Sequence, residues 1–353
     1  MRPTDPHHTS EKRFPMRLGL IGLGRIGAFH GTTLSGLTQV ESLVVYDAVP
    51  ALVESAVQRV GAEPAASPEA LLRAGVDGVV IAAATDVHPE LIIACLEAGL
   101  PTFCEKPVSK DPAASMEILR RSEASGVPVQ IGYPRRFDAA FAAAREAVAS
   151  GSLGWLHTVR STTLDPAPPP DAYVRASGGI FRDCSVHDFD AIRYVTGQEV
   201  VEVYATGSNQ GAAIFADADD VDTAATVLTL ESGALAVVSN SRYNARGHDV
   251  RLELHGSIDS VAAGLEERWP IRSMEPGVTF PGGTPHDFFM DRFADAFRAE
   301  LAAFTEVVAG SRPSPCTVAD AVEVGWIAEA ADLSLHQHRP VRMDDIRPKE
   351  VIS

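Results

Sequence analysis

The sequence predicts two domains: an α/β domain built on a doubly wound parallel sheet, followed by an α+β domain with an open, largely antiparallel sheet. Three observations support this. Short apolar runs alternate with helix-like stretches up to about residue 133, and a glycine-rich turn joins the first run to the first helix. After residue 150, runs rich in valine and threonine alternate apolar with polar residues. A chain of 353 residues is long enough for two cores.

In the first domain the sequence predicts five strands and five helices. The strands are expected over 16–21, 42–46, 77–82, 102–104 and 127–131, and the helices over 25–36, 49–60, 68–74, 88–98 and 112–125. Ser67-Pro68 and Asp111-Pro112 each combine a capping side chain with a proline at the first helical position. Strands that alternate with helices indicate a parallel sheet, whose ligands bind beyond the carboxyl ends of the strands.

The first strand–helix turn has a glycine pattern typical of dinucleotide binding. Residues 22–27 read Gly-Leu-Gly-Arg-Ile-Gly, with an apolar run before them and a helical stretch after them. The glycines permit a tight turn and a close approach to a pyrophosphate, and the N–H groups that begin the helix can bind its charge. The cofactor contacts predicted here are Gly22, Gly24, Arg25, Ile26 and Gly27.

Asp47 indicates which dinucleotide is bound. It ends the second apolar run, twenty residues after Gly27, where a carboxylate can accept hydrogen bonds from the adenosine ribose. The alternative is a simple helix cap before Ala48. A carboxylate repels a 2′-phosphate, and residues 48–52 contain no cation, so the sequence predicts NAD rather than NADP.

Lys106 is a candidate for proton chemistry. Lysine occurs at only four positions, whereas arginine occurs at 26. Arginine keeps its proton in proteins, but lysine can lose it beside suitable partners. Lys106 ends an apolar run in Phe-Cys-Glu-Lys-Pro, so it is expected at the same sheet edge as Asp47 and Thr85. The alternative is an ordinary solvated lysine.

A second candidate pair lies in the segment 178–190, which begins with two glycines and continues as a predicted helix. Asp183 and His187 are four residues apart and would share one helix face. A carboxylate beside an imidazole can orient it as a general base near neutral pH. The alternative is a capping aspartate and a histidine on the polar face of an amphipathic helix.

In the second domain, strands are predicted over 200–204, 222–230, 234–239 and 250–255, and amphipathic helices over 287–309 and 317–334. Their alternation predicts a sheet with one solvated or interface face. The proline-rich segment 165–171 is expected to be a stiff loop that could cover a site.

Charge, apolar run length and cysteine spacing exclude several classes of binding partner and site. The net charge of −17 argues against nucleic acid and anionic membranes, whose phosphates require basic surfaces. No apolar run is long enough to span a membrane. Residues 1–15 lack the apolar core of a secretory signal and are expected to be a disordered leader. The four cysteines have no metal-binding spacing, so buried thiols, a reducing cytoplasm and no metal site are predicted.

Together, these motifs resemble those of the Gfo/Idh/MocA oxidoreductase family, and within it the inositol 2-dehydrogenases. The resemblance covers about residues 16–343 and rests on segments 22–27, 105–107, 132–138 and 178–190, with two C-terminal helices around 300–304 and 320–321. It implies an NAD-binding Rossmann domain over 16–133, a substrate-binding and oligomerisation domain over 134–343, and a tail over 344–353. It also implies a sheet that mediates tetramers.

The resemblance further implies NAD-dependent oxidation of a ring hydroxyl of a cyclitol or sugar to a ketone. On this basis His187 would accept the hydroxyl proton, paired with Asp183, and Lys106 would hydrogen-bond the reacting hydroxyl. Arg135 and Asp190 would contact substrate. Residues implied near the nicotinamide end of the cofactor are Thr85, His88, Glu105 and Lys106, with His88 expected in a structural role.

The chain departs from the family at Pro134, where methionine or asparagine is usual, and this bears on which substrate is bound. Alternatives remain open at this point. They are a sugar or aminocyclitol dehydrogenase of another specificity, a member of the family's NAD-dependent glycosidase branch, and a non-catalytic dinucleotide sensor. The sensor has no need for Lys106, Asp183 and His187 together, and all three are present.

Overall fold

The computed structural model describes residues 15–347, which divide into two units. The first unit contains the chain up to Gly132 together with Phe297–Val322. The second contains Tyr133–Ala296 and the chain from Glu323 onward. Most of the predicted leader at 1–15 and of the predicted tail at 344–353 lies outside the described residues.

The first unit is built on a parallel sheet, as predicted, and it has six strands instead of the five expected, because a short strand at Glu63–Pro64 was not predicted. Both proline-marked helix starts are confirmed: Ser67 accepts a hydrogen bond from the N–H of Ala70 at 3.2 Å, and Asp111 accepts one from that of Ala113 at 3.0 Å. The strands are β1 Met16–Ile21, β2 Val40–Tyr46, β3 Glu63–Pro64, β4 Gly78–Ile81, β5 Thr102–Glu105 and β6 Val129–Gly132. The helices are α1 Arg25–Ser35, α2 Pro50–Val60, α3 Pro68–Leu72, α4 His88–Glu97 and α5 Pro112–Ser125.

The rest of the chain adds seven strands and eight helices to the described elements. The strands are β7 Leu156–Leu164, β8 Val200–Ser208, β9 Thr223–Leu230, β10 Leu235–Ser241, β11 Asp249–Gly256, β12 Ser260–Ala263 and β13 Val341–Arg342. The helices are α6 Ala139–Ala149, α7 Asp171–Ser177, α8 Val186–Thr196, α9 Ile214–Asp217, α10 Phe289–Arg292, α11 Ala294–Val308, α12 Val318–Gln337 and α13 Met343–Ile346.

The second unit holds an open sheet with the order β12-β11-β7-β10-β9-β8-β13. Its pairs are antiparallel except for β10 with β7, so the largely antiparallel sheet is confirmed. The predicted strands correspond to β8–β11. The sequence did not predict β7, which lies between β11 and β10, because its residues are mostly polar and lack a simple alternation.

One face of this sheet is exposed. Strands β9 and β10 alternate buried with accessible residues, as expected for a sheet that packs on one side only. The accessible positions include large apolar side chains on three adjacent strands, namely Tyr204, Val227, Leu235 and Val237. No helix in residues 15–347 is long and apolar enough to cross a membrane.

The helix predicted over 287–309 is divided into α10 and α11, and the second of these completes the core of the first unit. Phe304 is fully buried, and its ring centroid lies 5.9 Å from that of Phe103 on β5. Gly78 on β4 has no room for a side chain, because a Cβ would lie 2.6 Å from Val308. A segment far along the chain thus joins the parallel-sheet unit by packing, although the sequence assigned it to the second domain.

This packing predicts a large loss of stability on truncating Phe304. Phe304→Ala should lower the free energy of unfolding by about 3–5 kcal/mol, because it removes a fully buried ring from a close-packed core. The exposed Phe280 provides the matched control, and Phe280→Ala should cost less than about 1 kcal/mol. Urea unfolding of both variants would measure the difference. Equal losses would contradict the role given to α11.

Candidate functional site

The turn between β1 and α1 has the geometry of a dinucleotide loop. Gly22 has φ +92°, a conformation that glycine adopts without strain. A Cβ on Gly27 would lie 1.9 Å from the carbonyl oxygen of Gly22, so helix and strand meet at a contact that only glycine permits. Gly24 is exposed, and a side chain there would meet no atom of the chain within 4 Å. Arg25 and Ile26 open α1 at this same point. The open backbone at Gly24 therefore fits the approach of a pyrophosphate.

The Asp47 carboxylate lies beside this loop. One of its oxygens accepts a hydrogen bond from the N–H of Leu23 at 2.7 Å, and the other accepts one from that of Val49 at 2.8 Å. Each carboxylate oxygen can accept a further bond. Asp47 is half-buried at the end of β2, and the next residues are exposed and uncharged. The carboxylate thus fits a ribose diol. Its bond to Val49 lies in the turn before α2, whose N-cap is Val49 and has no side-chain capping bond, so the helix-cap alternative is wrong.

The turn after β4 contains Thr85 and His88, which differ in exposure. Thr85 is half-buried in a short 3₁₀ turn. His88 is buried, with Nδ1 2.8 Å from the carbonyl oxygen of Pro107 and Nε2 3.1 Å from that of Ala83. Both ring nitrogens therefore face backbone carbonyls of the two loops that flank the sheet edge. This geometry gives His88 a structural part in holding the loop of Lys106.

Lys106 follows β5 directly, is half-buried, and is joined to Pro107 by a cis peptide. The residue before it, Glu105, bonds a histidine that the sequence did not single out as a site residue. The Oε1 atom of Glu105 lies 2.5 Å from Nε2 of His30, which is fully buried on α1. The His30 ring packs edge-on against Phe103. A histidine within the apolar stretch that follows a glycine loop is the signal that could have identified this pair.

The second unit carries Asp183 and His187 at the start of a helix. Gly178 and Gly179 have φ values of +82° and +90°, and the N–H of Ile180 then donates to the Asp220 carboxylate at 2.9 Å. The sequence predicted Asp183 and His187 on one α-helix. Instead, Asp183 lies in a π-helical turn, Phe181–Ser185, and His187 lies in the first turn of α8. Such turns are frequent at functional sites.

Two side chains hold the Asp183 carboxylate. The Tyr173 hydroxyl donates to Oδ1 at 2.8 Å, and the Arg242 guanidinium donates to Oδ2 at 2.8 Å. Neither residue was predicted from the sequence. Burial lowers the pKa of Arg242, but the facing carboxylates of Asp183 and Asp165 contribute to raising it above its ordinary value. No local pattern pointed to Arg242, whereas Tyr173 follows the proline-rich segment that was expected to cover a site.

Asp188 is the centre of a buried polar network beside His187. Its fully buried carboxylate accepts hydrogen bonds from Arg135 at 2.7 Å, Ser161 at 2.6 Å, Thr163 at 2.9 Å and Asn240 at 2.7 Å. Ser161 and Thr163 belong to β7, and Asn240 belongs to β10. The network therefore fixes α8 on two adjacent strands of the second sheet.

The predicted substrate contacts Arg135 and Asp190 both take part in buried ion pairs. Arg135 bonds Asp188, and the fully buried Asp190 accepts hydrogen bonds from Arg136 at 3.0 Å and 2.6 Å. A substrate hydroxyl would have to share or displace one of these bonds. Direct substrate contact therefore stays a prediction for both residues, while the observed contacts are structural. Spacing alone could not tell which of two adjacent arginines each aspartate would meet.

The cysteines are buried and unbridged, as expected. Burial raises the pKa of the Cys95 thiol to about 11 and raises the pKa values of Cys104 and Cys184 above their ordinary value. Because the thiolate is the reactive form, these three groups are poor nucleophiles at neutral pH.

Comparison with known protein families gives two matches. Residues 16–133 match the oxidoreductase family GFO/IDH/MocA, described as an NAD-binding Rossmann fold. Residues 141–262 match the GFO/IDH/MocA C-terminal domain.

Individual relatives match over nearly the whole chain. A myo-inositol 2-dehydrogenase of Thermotoga maritima is 36% identical, with 94% of this chain and 99% of that protein covered. An inositol 2-dehydrogenase of Rhizobium meliloti is 35% identical, with 92% and 98% covered. A crystal structure of scyllo-inositol dehydrogenase from Lactobacillus casei, with bound NAD(H) and scyllo-inositol, superposes with a TM-score of 0.84 at 27% identity. The superposition covers 93% of this chain and 99% of that one.

The glycine loop predicts a variant that separates cofactor binding from folding. Gly24→Val should leave the free energy of unfolding within about 0.5 kcal/mol of the wild type, because the position is open. It should weaken NAD binding about tenfold or more, because the side chain blocks hydrogen bonding to the charged pyrophosphate. Gly27→Ala is the contrasting variant, and it should destabilise the fold. Fluorescence titration with NAD and urea unfolding measure both effects; a Gly24→Val protein with wild-type affinity would refute the assignment.

Proposed function

Because the chain belongs to the Gfo/Idh/MocA oxidoreductase family, we propose that it is an NAD-dependent dehydrogenase that oxidises a ring hydroxyl of a cyclitol or sugar to a ketone. One structural observation carries this proposal. A half-buried histidine, His187, follows a carboxylate, Asp183, whose two oxygens are each held by a hydrogen-bond donor. The relatives named as inositol 2-dehydrogenases support a myo-inositol-like substrate.

The first unit would bind the cofactor. The N–H groups that begin α1 and the exposed Gly24 would face the pyrophosphate, with Gly22, Arg25, Ile26 and Gly27 forming the rest of the loop. Asp47 would accept hydrogen bonds from the ribose diol, and Thr85 would contact the nicotinamide end. Bound NAD supplies the acceptor for the hydride that leaves the substrate carbon.

The catalytic roles follow from the chemistry of the side chains. His187 would take the proton of the reacting hydroxyl as general base, which typically contributes on the order of 10²–10⁴ in rate. Asp183 would orient the imidazole and favour its protonated form. Lys106 would stabilise the alkoxide charge that develops as the proton leaves. Glu105 would lie near the nicotinamide end of the cofactor, with its carboxylate held by His30.

We also propose a cytoplasmic homotetramer. The exposed apolar residues on β8, β9 and β10 form a surface of the type that mediates association, and Tyr204, Val227 and Val237 contribute to it. Four buried, unbridged cysteines suit a reducing compartment.

Asp47 predicts a preference between the two dinucleotides. The value of kcat/KM with NAD should exceed that with NADP by more than about tenfold, because the carboxylate would face the 2′-phosphate without a compensating cation. The double variant Asp47→Ser, Ala48→Arg should shift the preference towards NADP. Asp47→Asn, which retains the shape and removes the charge, should give an intermediate ratio. Steady-state kinetics with both cofactors test this, and equal efficiency in the wild type would contradict it.

The reaction itself is tested by NADH formation with a panel of inositols, hexoses and aminocyclitols. The wild type should oxidise at least one member to a ketone. His187→Ala should slow single-turnover hydride transfer at least about a hundredfold, because the general base is lost. The exposed histidine of β7 gives the control variant His157→Ala, which should retain the wild-type rate.

Three results would count against the proposal. Elimination products from a glycoside would favour the glycosidase branch. Cofactor binding without turnover on any member of the panel would favour a sensor. A His187→Ala enzyme with near-wild-type hydride transfer would remove His187 from the role of base.

A further inference from the structure

The Asp183 carboxylate is held from two directions by side chains of different exposure. Tyr173 donates to Oδ1 and Arg242 donates to Oδ2, each at 2.8 Å. Tyr173 is 45% exposed, whereas Arg242 is only 4% exposed. Two donors on separate oxygens fix the rotation of the carboxylate about its side-chain bonds.

Arg242 is itself fixed by a second carboxylate. Its Nη1 atom donates to Oδ2 of Asp165 at 3.1 Å, and Oδ1 of Asp165 lies 3.5 Å from Nδ1 of His248. Burial would raise the pKa of Asp165, but the neighbouring His248 and Arg242 lower it below its ordinary value. Arg242 is thus placed between two carboxylates, and it neutralises the charge that Asp183 carries into a mostly buried position.

Tyr173 reaches Asp183 from a short helix that is anchored independently. The next residue, Val174, is buried in a small apolar cluster with Ile214 and Phe215. Helix α7 therefore does not need the Tyr173 hydroxyl in order to pack. The hydroxyl makes a charge-assisted hydrogen bond to Asp183, although the Tyr173 ring itself is exposed.

We propose that Tyr173 and Arg242 are positioning residues that hold Asp183 in the orientation its partner His187 requires; this inference rests on the function proposed above. A carboxylate that can rotate would orient the imidazole only part of the time. With both oxygens bonded, Asp183 keeps one rotamer and its charge, so His187 is prepared as a base before the substrate arrives. Neither residue is proposed to contact the substrate.

The sharpest test is Tyr173→Phe, which removes one hydroxyl from an exposed ring. Single-turnover hydride transfer should fall about tenfold or more, because a hydrogen bond to a charged group is lost. The dissociation constant of NAD, the KM for the polyol and the melting temperature should stay close to their wild-type values. The control is Tyr194→Phe, which removes one hydroxyl from a half-buried ring on α8 that packs beside Arg145, and it should leave the rate unaltered. Equal rates for Tyr173→Phe and Tyr194→Phe would overturn the proposal.

Arg242 gives a second, graded measurement. Arg242→Gln should slow hydride transfer more than Tyr173→Phe does, because two partly buried carboxylates lose their cation. Arg242→Lys should recover part of the loss, because lysine restores the positive charge but lacks the planar guanidinium that bonds Asp165 and Asp183 at once. A lysine variant no faster than the glutamine variant, with both proteins folded, would argue against positioning by charge.

A double-mutant cycle separates this inference from the proposed function, because it needs no substrate. Tyr173→Phe, Asp183→Ala and the double variant are unfolded with urea, and their free energies of unfolding are compared; alanine removes the acceptor of the Tyr173 hydroxyl altogether. Non-additive effects would support the Tyr173–Asp183 bond. Additive effects would overturn the inference whatever the enzyme turns over. Absence of NADH formation by the wild type with any polyol would overturn the proposed function alone, and the cycle would still decide whether Tyr173 holds Asp183.

Discussion

The fully buried carboxylate of Asp188 is the interaction on which the site of the second unit depends. It accepts hydrogen bonds from two residues of β7, one residue of β10 and Arg135. A buried carboxylate without such partners would be strongly destabilising, so the network forms as a whole. Because Asp188 directly follows His187, the network also sets the position of the histidine on the sheet. The charge that anchors the helix and the group proposed as base are adjacent in the chain.

The same amino-acid type takes different roles here according to its surroundings. Asp188 and Asp190 are fully buried and paired with arginines, so their part in the observed structure is to hold α8 in place. Asp183 is partly accessible, and its partners hold it beside the site. The first unit also has an acid with a buried partner beside a partly accessible residue. Glu105 is bonded to the buried His30, and the next residue, Lys106, is partly accessible. In each unit, an acid with a bonded partner adjoins the residue for which a catalytic role is proposed: Glu105 precedes Lys106, and Asp188 follows His187.

Elements with a strong local signal were predicted, and elements defined by their partners were not. The parallel strands of the first unit are apolar and short, and the proline-marked helix starts carry their own capping groups. Strand β7 escaped prediction because Ser161 and Thr163 are stabilised by the Asp188 network, and the strand by its neighbouring strands, which the local sequence cannot reveal. Helix α11 was recognised as amphipathic, but its apolar face could have packed in either domain.

The sequence by itself determined the fold class, the dinucleotide loop with Asp47, and the family, because each depends on residues close together in the chain or on motif spacing. Only the tertiary structure decided that Tyr173 and Arg242 meet Asp183, that Glu105 meets His30, and that Asp190 pairs with Arg136. These contacts join residues on different elements. A charged residue in a sequence needs a partner once it is buried, but which partner it meets depends on how strands and helices pack, and packing is a property of the whole core.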